Sequence, residues 1–297
     1  MFLQFLIAVL LAVHLVCMNV SSAGPLLCLW LERHRKKDPD LGLRVGQDLL
    51  RASLVFFFVG ALLGLVMAGV LWLSGNTEFF DVLKIFGSRV FWGVWELVFF
   101  VACVFWQLKL WKKTSRSSVI GRCFLGVLAS TNLMYHFPPL FTAMAEYAGT
   151  DFDSTYRLTS ADYRGLIFNT RTMSISMHFW LASIAVTGAW LMFKYRKLES
   201  KWPVQMGARF ALLATAFQMA VGLWVVISLP NVRQDLVMGG NMIATSTLAV
   251  SLGLSVFLLN KLTAVALGQP EPKDTVKATH TMMLIVGLMS FTLWFSK

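Results

Sequence analysis

Five side chains able to do acid–base or metal chemistry stand inside long apolar runs: His14, Glu96, His136, His178 and His280. A charged side chain at mid-membrane costs about 2.5–3.5 kcal/mol unless it is paired or ligated, so such positions are where function is sought first. A neutral imidazole offers a lone pair to a metal, and a thioether sulfur is a softer partner that haem iron accepts. Met238 and Met242 supply that sulfur near the start of the seventh apolar run. A carboxylate beside a haem can move protons or occupy a weak axial position, which is the role open to Glu96. The same groups can also serve as hydrogen-bonded packing residues, or line a polar path for protons or a solute.

The elements that must position them are read from hydrophobic runs of about 20 residues, enough to cross a ~30 Å hydrocarbon layer. Eight occur, at approximately 3–30, 50–73, 89–110, 118–145, 173–194, 205–229, 236–260 and 276–296. Backbone groups in lipid must be satisfied within each segment, and no β-barrel alternation is present, so the spans are helices. The expected fold is therefore all-α, a polytopic membrane helix bundle forming one membrane domain over 1–297. No fixed-period repeat is visible. The first apolar run lacks the basic start of a secretory signal and is read as a membrane helix retained in the mature protein.

Most of the 26 basic residues lie in the links after helices 1, 3, 5 and 7, as in LERHRKKDPDLGLR and LWKKTSR. The positive-inside rule then places those links in the cytoplasm, with both termini outside. Counting about 1.5 Å per residue along each helix brings His14, Glu96, His136 and His178 into the outer half of the bilayer, with Met238 and Met242 near that depth. His280 falls in the inner half, and His34 belongs to a basic link. Pro138 and Pro139 follow His136 directly and loosen the preceding turn, which leaves room beside that imidazole.

Composition removes other classes. The chain is 57% hydrophobic and 14% charged, too little polar sequence for the skin of a soluble domain of this length. Its net charge of +11 is spread over links rather than gathered on one face, so nucleic-acid binding is set aside. Cys17, Cys28, Cys103 and Cys123 show no CxxC spacing and read as buried small hydrophobes. The absence of CxxCH excludes covalent haem attachment, and no HxxxH or cysteine–histidine cluster suggests zinc.

Several stretches are similar to subunit I of the cytochrome bd quinol oxidases: LRASLVFFFVGALLGLVMAGV, KIFGSRVFWGVWELVFFVACVFWQLKLWKK, GVLASTNLM and, above all, LIFNTRTMSISMHFWLASIAVTGAWLMFKYR. The resemblance covers about residues 10 to 230 at low identity. It implies that His178 ligates a low-spin b haem, with Met238, or Met242 one turn further in, as second ligand. It also implies that His14 holds a high-spin haem and that Glu96 lies on that haem's distal face. The sequence departs from the family in four respects. The long external quinol-binding loop between helices 6 and 7 is cut to a few residues, and the GRQPW-type motif is missing. His136 stands where the family has an apolar residue, and Arg233 lies five residues before Met238 rather than two.

The resulting expectation is an electron-transfer subunit holding two b-type haems, or three, near the outer face. In it, His14 and His136 could share one six-coordinate haem. Its partners would be the lipid bilayer and other membrane or extracytoplasmic redox subunits, with quinol as a further candidate. An oxygen-reducing quinol oxidase subunit is the alternative within the class, and a haem-free transporter or proton channel the alternative outside it.

Overall fold

The computed structural model describes residues 2–35, 38–75, 78–148 and 158–296, and every regular element among them is helical. Eight helices are long: α1 (Phe2–Arg35), α2 (Pro39–Leu73), α4 (Gly87–Trp111), α5 (Arg116–Tyr147), α7 (Thr170–Tyr195), α8 (Trp202–Ile227), α10 (Met242–Leu267) and α11 (Pro272–Phe295). Three are short, α3 (Glu78–Ile85), α6 (Ser160–Ile167) and α9 (Asn231–Asp235), and a π-helical turn, Leu236–Gly240, follows α9. Seven of the long helices are long and apolar enough to cross a membrane. The exception, α5, is 32 residues long but more polar. It lies against α1, α4 and α7, which bury its Arg122 and Ser130, while Thr131 and Tyr135 face outward. The chain is a multi-pass helical membrane bundle.

Local chemistry sets the ends. Asp38 caps α2 by accepting from the Leu41 amide, and Pro39 opens that helix. This extends α2 eleven residues before the apolar run that begins at 50, through the charged turns holding Asp40, Arg44 and Asp48. The seventh span begins at Met242 rather than 236. Gly239 turns at φ +135°, where glycine alone is unstrained, and Asn241 then caps α10 through the amides of Ile243 and Ala244. Both methionines are thereby moved to the lip of the helix.

The packing contains a regularity that no sequence period announces. Helices α1, α2, α4 and α5 touch in a closed ring, each against the next and α5 back against α1. Helices α7, α8, α10 and α11 form a second ring in the same order. The rings meet where α1 lies on α7 and α11, and α5 on α7. Alternating passes make α1 and α7 parallel, so the two halves are related as a parallel repeat about an axis along the bundle. The Ser183 hydroxyl donates to Asn19 Oδ1 at 3.0 Å at this contact, and Thr187 donates to the Asn19 carbonyl. One apolar core runs through both rings, from Leu27 and Phe100 to Ala211 and Leu258. A smaller one, around Phe86, Leu140 and Ile167, seats α3 and α6 on the end of α5.

At the opposite end, where the basic links lie, Arg122 is 1% exposed and holds Glu32 of α1 through two bonds of 2.5 and 2.7 Å. Its Nη1 donates to the carbonyls of Leu110 and Lys113 at the C-terminal end of α4. Trp111 lies beneath the guanidinium and over Gly46, whose missing side chain leaves room for the indole. Arg122→Met is expected to lower stability by about 3 kcal/mol, because a mostly buried carboxylate loses its partner. Glu32→Gln added to that variant should recover part of the loss. Thermal or SDS unfolding in detergent checks both, and an unchanged midpoint in the single variant would contradict this role.

Candidate functional site

His14 sits on the seam between α1 and α2. Its Nδ1 lies 2.8 Å from the Gly60 carbonyl, which can only accept, so Nδ1 carries the proton and Nε2 keeps the lone pair. Gly64, one turn along α2, lies against the ring: a Cβ there would come within 3.3 Å of His14 Cε1.

His178 sits on the seam between α7 and α8 in the matching place. Setting His14 on His178 puts Asn19 on Ser183 and Gly24 on Gly188 along the same helix pair. On the partner helices it puts Gly60 on Gln218, Gly64 on Gly222 and Ser53 on Ala211. The contacts obey this correspondence. A Cβ at Gly222 would stand 3.5 Å from His178 Cε1, against 3.3 Å for one at Gly64 from His14 Cε1. Gly24 rests on Ser53, and Gly188 on Gly207 and Ala211. Where Gly60 offers its carbonyl to His14, the Gln218 amide nitrogen lies 3.0 Å from His178 Nε2. The Nδ1 of His178 is buried without a partner.

The third constellation lies on the opposite seam of the first ring, between α4 and α5. Glu96 accepts a short hydrogen bond from the Asn132 amide. His136, one turn beyond Asn132, rests on Gly93, which is one turn before Glu96. Its Nε2 is buried and unpartnered, and its ring packs edge-on against Phe137. Pro138 cannot bond to the Met134 carbonyl, and the indole of Trp180 on α7 takes that carbonyl at 2.7 Å. The helix runs on through both prolines, and the carbonyl that Pro138 frees is taken by Trp180 rather than by His136.

The structure brings Glu96 and His136 together and places His14 across the same ring from them. It does not bring the two methionines to His178. Met238 is 73% and Met242 83% exposed, which is incompatible with packing on a buried imidazole. His280 is exposed and lies near Phe193, and the His34 side chain lies outside the described residues. Among the described residues, no three His, Cys, Asp or Glu side chains converge as a bare metal site would require.

The sequence matches no protein-family profile and no curated protein. The reading therefore rests on geometry.

Sequence reasoning missed the groups that hold the histidines. Gly60 and Gly64, and Gln218 with Gly222, are each one turn apart, but glycine is common in membrane helices, so the spacing stands out only once the seams are known. It also missed a charged cleft of about 510 Å3 at the start of α7, lined by Glu146, Tyr147, Leu166, Asn169, Thr170, Arg171 and Ser228. Arg171 and Glu146 pair there at 3.1 Å, and Asn169 donates to Glu146. Arg233 of α9 faces the same pair. Burial first, and the neighbouring Arg171 second, hold its guanidinium below the usual range. Above the third constellation, Arg89 stacks on Tyr163 at 4.7 Å and donates to Ser160, fastening α6 over α4.

Asn132→Leu is expected to cost about 1–3 kcal/mol, since it strips a part-buried carboxylate of its donor. Glu96→Gln in that background should return most of the loss. The paired thermal shifts in detergent test this, and equal destabilisation by both changes would show that the contact carries no stability.

Proposed function

We propose that the chain is a membrane-embedded b-type haem electron-transfer subunit, with one haem on His14 in the first ring and one on His178 in the second. The observation that carries this reading is the repeated pairing of a histidine with a glycine-lined wall at equivalent places in the two rings. A ligating histidine characteristically donates its other nitrogen to a carbonyl, which fixes tautomer and orientation, and His14 does so to Gly60. Glycine at the ring's edge leaves a flat wall with no side chain, the surface a planar macrocycle needs. When bound, the iron supplies one-electron chemistry at potentials set by its ligands and burial.

Glu96, held by Asn132 and close to His136, is the group that takes up and gives back the proton accompanying electron transfer. The unpartnered Nε2 of His136 makes it the candidate for a third haem, or for sharing the haem of His14. The exposed Met238 and Met242 are given no ligand role here, and Gln218 is the residue next to His178 instead. Electrons pass to partner redox subunits at the outer end of a bacterial-type inner membrane, both termini being extracytoplasmic. The resemblance to cytochrome bd subunit I supports the same assignment of His14 and His178. The second reading, a haem-free proton path, is favoured by the Glu96–Asn132–His136 cluster alone.

Full-length protein purified from haem-replete cells is expected to give a reduced-minus-oxidised b-type spectrum. Pyridine haemochrome should count one haem fewer in His14→Ala and one fewer in His178→Ala, with none from these sites in the double variant. A colourless wild-type protein would sink the haem reading and leave the proton path, testable by dye quenching in vesicles. Rapid stoichiometric binding of carbon monoxide by the reduced protein would make the His14 haem open and turn the function to oxygen reduction.

A further inference from the structure

The seam between α2 and α4 carries a feature that electron transfer does not use. Near the end bearing the basic links, the two helices part to leave a groove of about 220 Å3, lined by Gln47, Arg51, Phe105, Leu108, Lys109 and Lys112. Three of the six are cations and no carboxylate lines it. Among the described residues none of the three forms an ion pair. Asp48, the nearest acid in sequence, faces away and accepts from Tyr195 of α7. The Lys109 ammonium lies over the rings of Phe105 and Trp106, 4.5 and 4.9 Å from their centres. Two outward stripes lead from the groove toward mid-bundle. On α2, Val55, Phe58 and Leu62 continue the face of Arg51, each more than half exposed. On α4, Phe105, Ala102 and Val98 continue the face of Lys109, with the small Ala102 forming a trough between larger residues.

A cationic groove at the level of the headgroups, opening onto an apolar track on the lipid-facing surface, has the two chemistries of one amphiphile. We propose that this groove binds an anionic phospholipid, with the phosphate among Arg51, Lys109 and Lys112 and an acyl chain along the α2 and α4 stripes. Basic pockets between membrane helices on the cytoplasmic side are where anionic headgroups bind, and this end of the bundle holds the basic links. Charge complementarity selects the headgroup. The apolar track distinguishes a lipid from a free phosphate, which has no use for it. The site lies in the first ring, on the seam between those of His14 and of Glu96, and is independent of whether haem is bound.

The test is native mass spectrometry of the full chain released from micelles containing equal phosphatidylglycerol and phosphatidylcholine. The wild type is expected to retain phosphatidylglycerol in about tenfold preference, a ratio within reach of three cations near the surface. The Arg51→Gln, Lys109→Gln, Lys112→Gln variant should lose that preference. A control with the same charge change elsewhere at this end, Lys194→Gln, Lys197→Gln, Lys277→Gln, should keep it, and unfolding midpoints confirm that both are folded. Equal retention of the two lipids, or equal loss of preference in both variants, would overturn the proposal. So would binding of inorganic phosphate to delipidated protein as tight as that of the lipid, since the occupant would then be a free anion.

Discussion

A polar group inside hydrocarbon has no water to turn to, and this constraint decides where the helices of this chain meet. Pro25 offers no amide to the ladder of α1, and the polar groups beside it bond to two other helices. The Leu26 amide donates to Ser130 of α5, and Gln107 of α4 donates to the Pro25 carbonyl. Gly126 leaves the space that Gln107 needs. Three helices are thereby pinned at one level. Pro138 does the same for α5 and α7 through Trp180, and Asn19 for α1 and α7 through Ser183 and Thr187. Packing apolar faces alone would give little register in a lipid solvent, since lipid tails are as apolar as leucine. The polar repairs supply it.

With register fixed, the two rings hold their histidines at one level and on equivalent seams. The equivalence extends to the weak points of each helix pair. Gly24 and Gly188 bring their partner helices close at one end, while Gly64 and Gly222 lie against the imidazoles at the other. The rings then diverge where their chemistry does. The seam opposite His14 carries Glu96, Asn132 and His136, while the corresponding seam of the second ring carries a pair of threonines, Thr247 and Thr292, bonded at 2.8 Å.

The helical spans were legible because hydrophobicity over about 20 residues is a long, redundant signal. The termini were less so: the charged first turns of α2 are helical for reasons of capping and packing, not hydropathy. The seventh span was misplaced by six residues because Leu236 and Val237 extend the apolar run across the Gly239 turn. That error set Met238 and Met242 inside the bundle on paper and at its lip in space. His14 and His178 were legible as ionisable groups in the wrong solvent. Their surroundings were not, because a glycine signals nothing until a second helix lies on it. The ring repeat was illegible for the same reason: its two halves share contact positions rather than a residue pattern.

The central place of α1 has a consequence for biosynthesis. It leaves the ribosome before every helix it packs on, α2, α5, α7 and α11, the last of which ends at Phe295. Its contacts with α2 and α5 are available once Tyr147 has emerged, so the first ring closes while the second is still being made. Until α7 arrives, Asn19 stands on a face of α1 whose partners have not been synthesised. The half-made protein therefore presents polar positions on α1 and α5, Asn19 and the Met134 carbonyl, whose partners on α7 are still to come. Both wait for about the length of chain between α5 and α7.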